Sequence, residues 1–74
     1  MTKHAKSPWT QPDGAPVSCA EKLKVLNQNL QEIEQLCQDA LEDAILMGCD
    51  AEQVKAVFRQ TIDALVNPYK TGRK

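Results

Sequence analysis

The sequence predicts an all-α fold: a two-helix antiparallel hairpin behind an extended, proline-rich N-terminal arm, with two copies expected to assemble into a dimeric four-helix bundle. Three observations carry that expectation. Apolar residues from Leu23 to Met47 recur at alternating intervals of three and four. A stop glycine at 48 is followed at once by a second helix-start signal at Asp50. The chain has 74 residues and only 4% aromatics, so a lone hairpin would have little core of its own.

The arm comes first. Residues 1 to 17, MTKHAKSPWTQPDGAPV, hold three of the four prolines. Pro8, Pro12 and Pro16 each remove a backbone donor and bias the preceding residue away from helix. Asp13-Gly14 adds a turn signal. The segment is expected to be extended or loose, unless Trp9 and Val17 dock it on a helix.

The first helix is expected over about residues 18–47. Ser18-Cys19-Ala20-Glu21 reads as a capping box, in which the serine accepts from the Glu21 amide and the glutamate reaches back. Nothing from there to Met47 breaks a helix, and Gly48 supplies the stop. Asp50-Ala51-Glu52-Gln53 repeats the start, with negative charge in the first turn. The second helix is expected over about 51–66, ended by Asn67-Pro68, with a basic tail over 68–74.

Leu23, Leu26, Leu30, Ile33, Cys37, Ala40, Ala44 and Met47 form an uninterrupted heptad seam. Val54, Val57, Phe58, Thr61, Ile62 and Leu65 make a matching stripe on the second helix. A helix of thirty residues runs roughly 45 Å and one of sixteen roughly 24 Å. The second helix therefore covers only the C-terminal end of the first. Leu23, Leu26, Leu30 and Ile33 are left as the candidate dimer or partner interface, with Trp9 as an aromatic anchor. The proline-rich arm, folded over these leucines through Trp9 and Val17, is the competing cover. The seam also grades from large residues early to Cys37, Ala40 and Ala44 later, where Phe58 is expected to pack.

Charge narrows the function classes. No Lys or Arg lies between Lys24 and Lys55, while seven acidic residues do. Lys3 and Lys6 lie in one tail, Lys70, Arg73 and Lys74 in the other. An acidic body repels a polyanion, so nucleic acid is not the expected partner. No apolar run is long enough to span a membrane, and the N-terminus lacks a signal-peptide core. The expected compartment is the cytoplasm, where three cysteines would stay reduced.

The stretch Glu32–Ala44, EIEQLCQDALEDA, crowds five carboxylates around one thiol. On the heptad, Ile33, Cys37, Ala40 and Ala44 turn inward while Glu32, Gln35, Gln38, Asp39 and Glu42 turn outward, so a dry seam with an acidic outer face is expected. Cys19 and Cys49 are the candidate reactive thiols, Cys19 because first-turn amides lower a thiol pKa. Along one helix Cys19 and Cys37 lie roughly 27 Å apart, and Cys37 and Cys49 roughly 18 Å, too far for a disulfide within one chain. No metal ligands or cofactor are expected, because inward Glu-x-x-His pairs and closely spaced cysteines are missing and the single histidine, His4, lies in the arm. No catalytic set and no glycine-rich phosphate loop can be assembled, so no enzymatic activity is expected.

A hairpin dimer of this kind resembles, in architecture alone, the small plasmid-encoded Rop regulators. RNA binding there implies a basic helix face, and on the first helix only Lys22 and Lys24 represent that charge. The expected function is a small protein-interaction module, accessory or regulatory, working through the heptad face as a homodimer, with a larger protein as a further partner. The alternative is a thiol-based redox or metal-handling accessory protein.

Overall fold

The computed structural model describes residues 7–69. Its regular elements are two helices, α1 over Ala20–Leu46 and α2 over Ala51–Asp63. Among the described residues there are no β-strands, only one isolated bridge between Thr10 and Pro16. The fold is thus all-helical. The basic residues Lys3, Lys6, Lys70, Arg73 and Lys74, together with His4, lie outside the described residues. By compactness the chain divides into Met1–Glu34 and Gln35–Lys74.

In the first unit the arm closes on itself. The Gly14 amide donates to the Gln11 carbonyl at 2.8 Å, and the Gln11 amide to the Ala15 carbonyl at 2.7 Å. This makes a four-residue turn with Pro12 second and Gly14 fourth, positions that suit both residues. Asp13 Oδ1 accepts from the Ala15 amide at 3.0 Å, the local bond that makes aspartate a turn former. Gly14 holds φ at +91°, where a side chain would be strained. The Val17 amide then donates to the Trp9 carbonyl at 3.0 Å and shuts the loop. Residues 9–17 thus form a closed loop. Proline removed donors, but Gln11, Gly14, Ala15 and Val17 kept enough of them to close a loop.

The loop is also tied to α1. Trp9 Nε1–H donates to Asn27 Oδ1 at 2.7 Å, and Trp9, Ala15, Val17, Leu23 and Leu26 are the half-buried residues of this unit. An indole that is mostly apolar but carries one donor needs this kind of partner when it is partly covered. Trp9 thus ties the arm loop to α1 at Asn27.

In the second unit the end of α1 is shaped by Gly48. Its φ is +98°. The Gly48 amide donates to the Ile45 carbonyl at 3.0 Å and the Cys49 amide to the Ala44 carbonyl at 2.9 Å. These paired bonds satisfy two carbonyls of the last turn and form a Schellman motif. Asp50 follows as the N-cap of α2, with extended backbone and a carboxylate accepting from the Gln53 amide at 2.9 Å. Glu52 sits in the first turn and pairs with Lys55 at 3.2 Å, an exposed contact of small energetic weight.

Val54 is the core of this unit at 7% exposure, and it is the buried hydrophobic residue among those described. Cys37, Ala40, Leu41 and Ala44 of α1 and Ala51, Ala56 and Phe58 of α2 are half-buried. Beyond Phe58 the expected stripe fails: Thr61, Ile62 and Leu65 are exposed, as is Val57. The helix ends three residues early. Ala64 and Leu65 donate to the Thr61 and Ile62 carbonyls, a tightening of the last turn, and Thr61 Oγ1 donates back to the Val57 carbonyl at 2.9 Å.

Candidate association surface

The candidate interface rests on α1, and its four predicted residues do not share one environment. Leu23 and Leu26 are half-buried near the arm loop, while Leu30 and Ile33 are 44% and 49% exposed. The loop covers the N-terminal end of the seam and stops short of its middle. Trp9 is half-buried and engaged with Asn27, so it anchors the arm to its own helix. Its indole donor is thus already used within the chain. Leu36, on the same helix, is 70% exposed.

Beside the loop lies a shallow groove of about 450 Å³ lined by Val17, Glu21, Lys22, Val25 and Leu26. Its floor is apolar, and Val25 is exposed along it. Sequence reasoning left Val25 out because it falls outside the a and d positions. Its exposure beside Val17 depends on where the loop lands, which the helical period does not encode.

The thiols separate cleanly. All three cysteines are free. Cys37 is half-buried on the seam and serves as a small apolar residue, as its heptad position implies. Cys49 is exposed in the turn after Gly48, its amide held by Ala44. Cys19 is exposed and occupies the cap of α1: its carbonyl accepts from the Leu23 amide at 2.9 Å, and the helix begins at Ala20. The backbone amides of Lys22 and then Glu21 donate to its sulfur and hold the thiol below its ordinary pKa, with the Lys22 charge adding to them. The expected Ser18–Glu21 capping box is not the cap that forms, because α1 begins at Ala20 and Cys19 directly precedes it. Cys19, in place of Ser18, meets the free amides of the first turn. A small cleft of about 210 Å³ lined by Gln11, Val17, Ser18, Cys19 and Lys22 lies beside it.

The acidic stretch of α1 is occupied by its own glutamines. Gln35 Nε2–H donates to Asp39 Oδ1 at 3.0 Å, and Gln38 Nε2–H to Glu42 Oε2 at 2.9 Å. These are neighbours four residues apart on an exposed helix face. Among the described residues no group of three or more His, Cys, Asp or Glu side chains converges as a metal set. No described helix is long and apolar enough to cross a membrane. Compared with protein-family models, curated proteins and solved structures, the chain matches none of them.

Proposed function

We propose that this chain is a small non-enzymatic interaction module that associates through the heptad face of α1, pairing with a second copy to form a four-helix bundle. The observation that carries the reading is the half exposure of Leu30 and Ile33 in the middle of an otherwise continuous apolar seam. Fully burying a side chain of this size contributes about 1.5–3 kcal/mol, so finishing the burial of each is worth about 1 kcal/mol. Two copies supply four such side chains, and the groove floor beside Val25 adds to them. The reading also accounts for a chain whose described residues bury so little by themselves.

Leu30→Asp is the sharpest test, because Leu30 is already exposed enough that the single-chain fold should tolerate the change. Equilibrium sedimentation of the native chain should show a monomer–dimer equilibrium, and the variant should remain monomeric with unchanged helical circular dichroism. A native chain that stays monomeric at every concentration would overturn the proposal.

A second reading, a thiol-based redox or metal-handling accessory, has one observation in its favour: the Lys22 and Glu21 amides favour the Cys19 thiolate on an exposed sulfur. Thiol titration and metal analysis of anaerobically purified protein separate the two. An ordinary reactivity profile at Cys19 and no bound metal would end the thiol reading.

A further inference from the structure

We infer that the arm loop is a removable cover, which the second copy lifts from Leu23 and Leu26 as it seats on the N-terminal half of the seam. This rests on the reading of α1 as an association face and adds a restraint that the chain itself carries. Every residue involved lies in the first unit.

The seam gives the first reason. Leu23, Leu26, Leu30 and Ile33 make one continuous run of large apolar positions. Leu23 and Leu26 are half-buried, whereas Leu30 and Ile33 emerge at 44% and 49% exposure. A docked loop offers a second copy only the later pair, and a lifted loop offers the whole run. Leu26 lies about 6 Å along the axis from Leu30, and a partner helix is about 10 Å across. A helix seated on Leu30 therefore runs into the loop, whose Val17 lines the same groove as Leu26.

The attachment gives the second. The loop is held together from within, by the backbone bonds among Trp9, Gln11, Gly14, Ala15 and Val17 and by Gln11 Nε2–H donating to the Pro16 carbonyl at 3.4 Å. Among the described residues, the bond from Trp9 Nε1–H to Asn27 Oδ1 is the one hydrogen bond that crosses from the loop to α1. Trp9, Ala15, Val17, Leu23 and Leu26 are all half-buried and none is buried outright. A segment held by shallow contacts and one exposed bond opens at low cost.

The joint gives the third. Val17 closes the loop and Cys19 caps α1, so the exposed Ser18 alone connects them. No bond that closes the loop reaches past Val17, so rotation at this one residue swings the loop away intact. Lifting gives up the bond to Asn27, and that loss opposes association.

Trp9 is the sole tryptophan of the chain, so its emission reports the loop directly. Emission of the native chain is read across a dilution series alongside the sedimentation mass. It should move to the red as the mass rises from one chain to two. A constant or blue-shifted emission while the mass doubles would overturn the cover and leave the association face standing.

Two variants read the same restraint. Asn27→Ala removes the acceptor, and Trp9→Phe removes the donor while keeping a ring and leaving α1 untouched. Each should tighten the dimer by roughly 5-fold for every loop that lifts, about 25-fold for two. An unchanged or weaker dimer in Trp9→Phe would overturn the cover. A dimeric Trp9→Phe beside a native chain that is monomeric throughout would support the cover and overturn association of the intact chain. Monomers at every concentration in both would remove both readings.

Discussion

Gly48→Ala should cost the second unit roughly 1 kcal/mol, and the reason can be worked from the turn itself. Gly48 holds φ at +98°, a region that L side chains rarely adopt. A methyl group built there meets no atom within 4 Å, so crowding contributes nothing and the whole cost is backbone strain. Left-handed strain at a residue with a Cβ runs about 1–2 kcal/mol. Part of it is offset, by about 0.4–1 kcal/mol, because alanine leaves the unfolded chain fewer conformations to lose. In a domain of this size each kcal/mol moves the melting temperature by roughly 4–8 °C. Thermal melting followed by circular dichroism should therefore show a drop of that order. Gly14→Ala is the control: its φ is +91° and its surroundings equally open, but it sits in the arm loop. That variant should shift Trp9 emission and leave the helical melt almost unchanged. An unchanged or raised melting temperature in Gly48→Ala would refute the reasoning, since the strained Schellman turn would then not be holding α1 and α2 together.

Three further outcomes follow from single contacts. Asn27→Ala removes the acceptor of the 2.7 Å bond from Trp9 Nε1, so the loop should lose about 1 kcal/mol of docking. Trp9 emission should move to the red and quench more readily, with helical content retained. Val54→Ala deletes two methyl-sized groups from the 7% exposed core position and should cost roughly 1.5–2.5 kcal/mol in urea unfolding; a cost near zero would show that α2 packs some other way. Cys19 should alkylate with a pH midpoint lower in the folded chain than in denaturant, because the Lys22 and Glu21 amides stabilise its thiolate. The folded pKa is the depressed one, so this contribution to stability is present above the unfolded pKa and lost as pH falls through the folded value. Identical midpoints in the two states would contradict the cap geometry.

Periodicity made the helices legible, and turn chemistry made their junction legible. The three–four spacing from Leu23 to Met47, the glycine at 48 and the aspartate at 50 each act through local geometry, and the structure places a helix end, a Schellman turn and an N-cap at those points. What local patterns missed depends on contacts distant in sequence. Ser18 and Cys19 both precede the first turn, and S-x-x-E fits only one frame. The frame that forms is the other one, set after the Val17 amide has been tied back to Trp9. The prolines marked an open arm, but the bond from Trp9 to Asn27 spans eighteen residues and no periodic signal announces it. At the end of α2, Asn67-Pro68 marks only the latest residue a helix could reach. The tightened turn at Ala64 stops it sooner and leaves Ile62 and Leu65 exposed. For the candidate surface, Leu30 and Ile33 were readable from the heptad and the short second helix. Docking of the arm through Trp9 was one of two covers the residues allowed, but its acceptor, Asn27, carried no signal in the sequence.

The most direct test of the account is equilibrium sedimentation of the native chain across a wide dilution series. The account predicts a mass that passes from one chain at high dilution to two at high concentration, and a Leu30→Asp chain that stays at one throughout. A native mass of one chain across the whole series, indistinguishable from the Leu30→Asp variant, would contradict it.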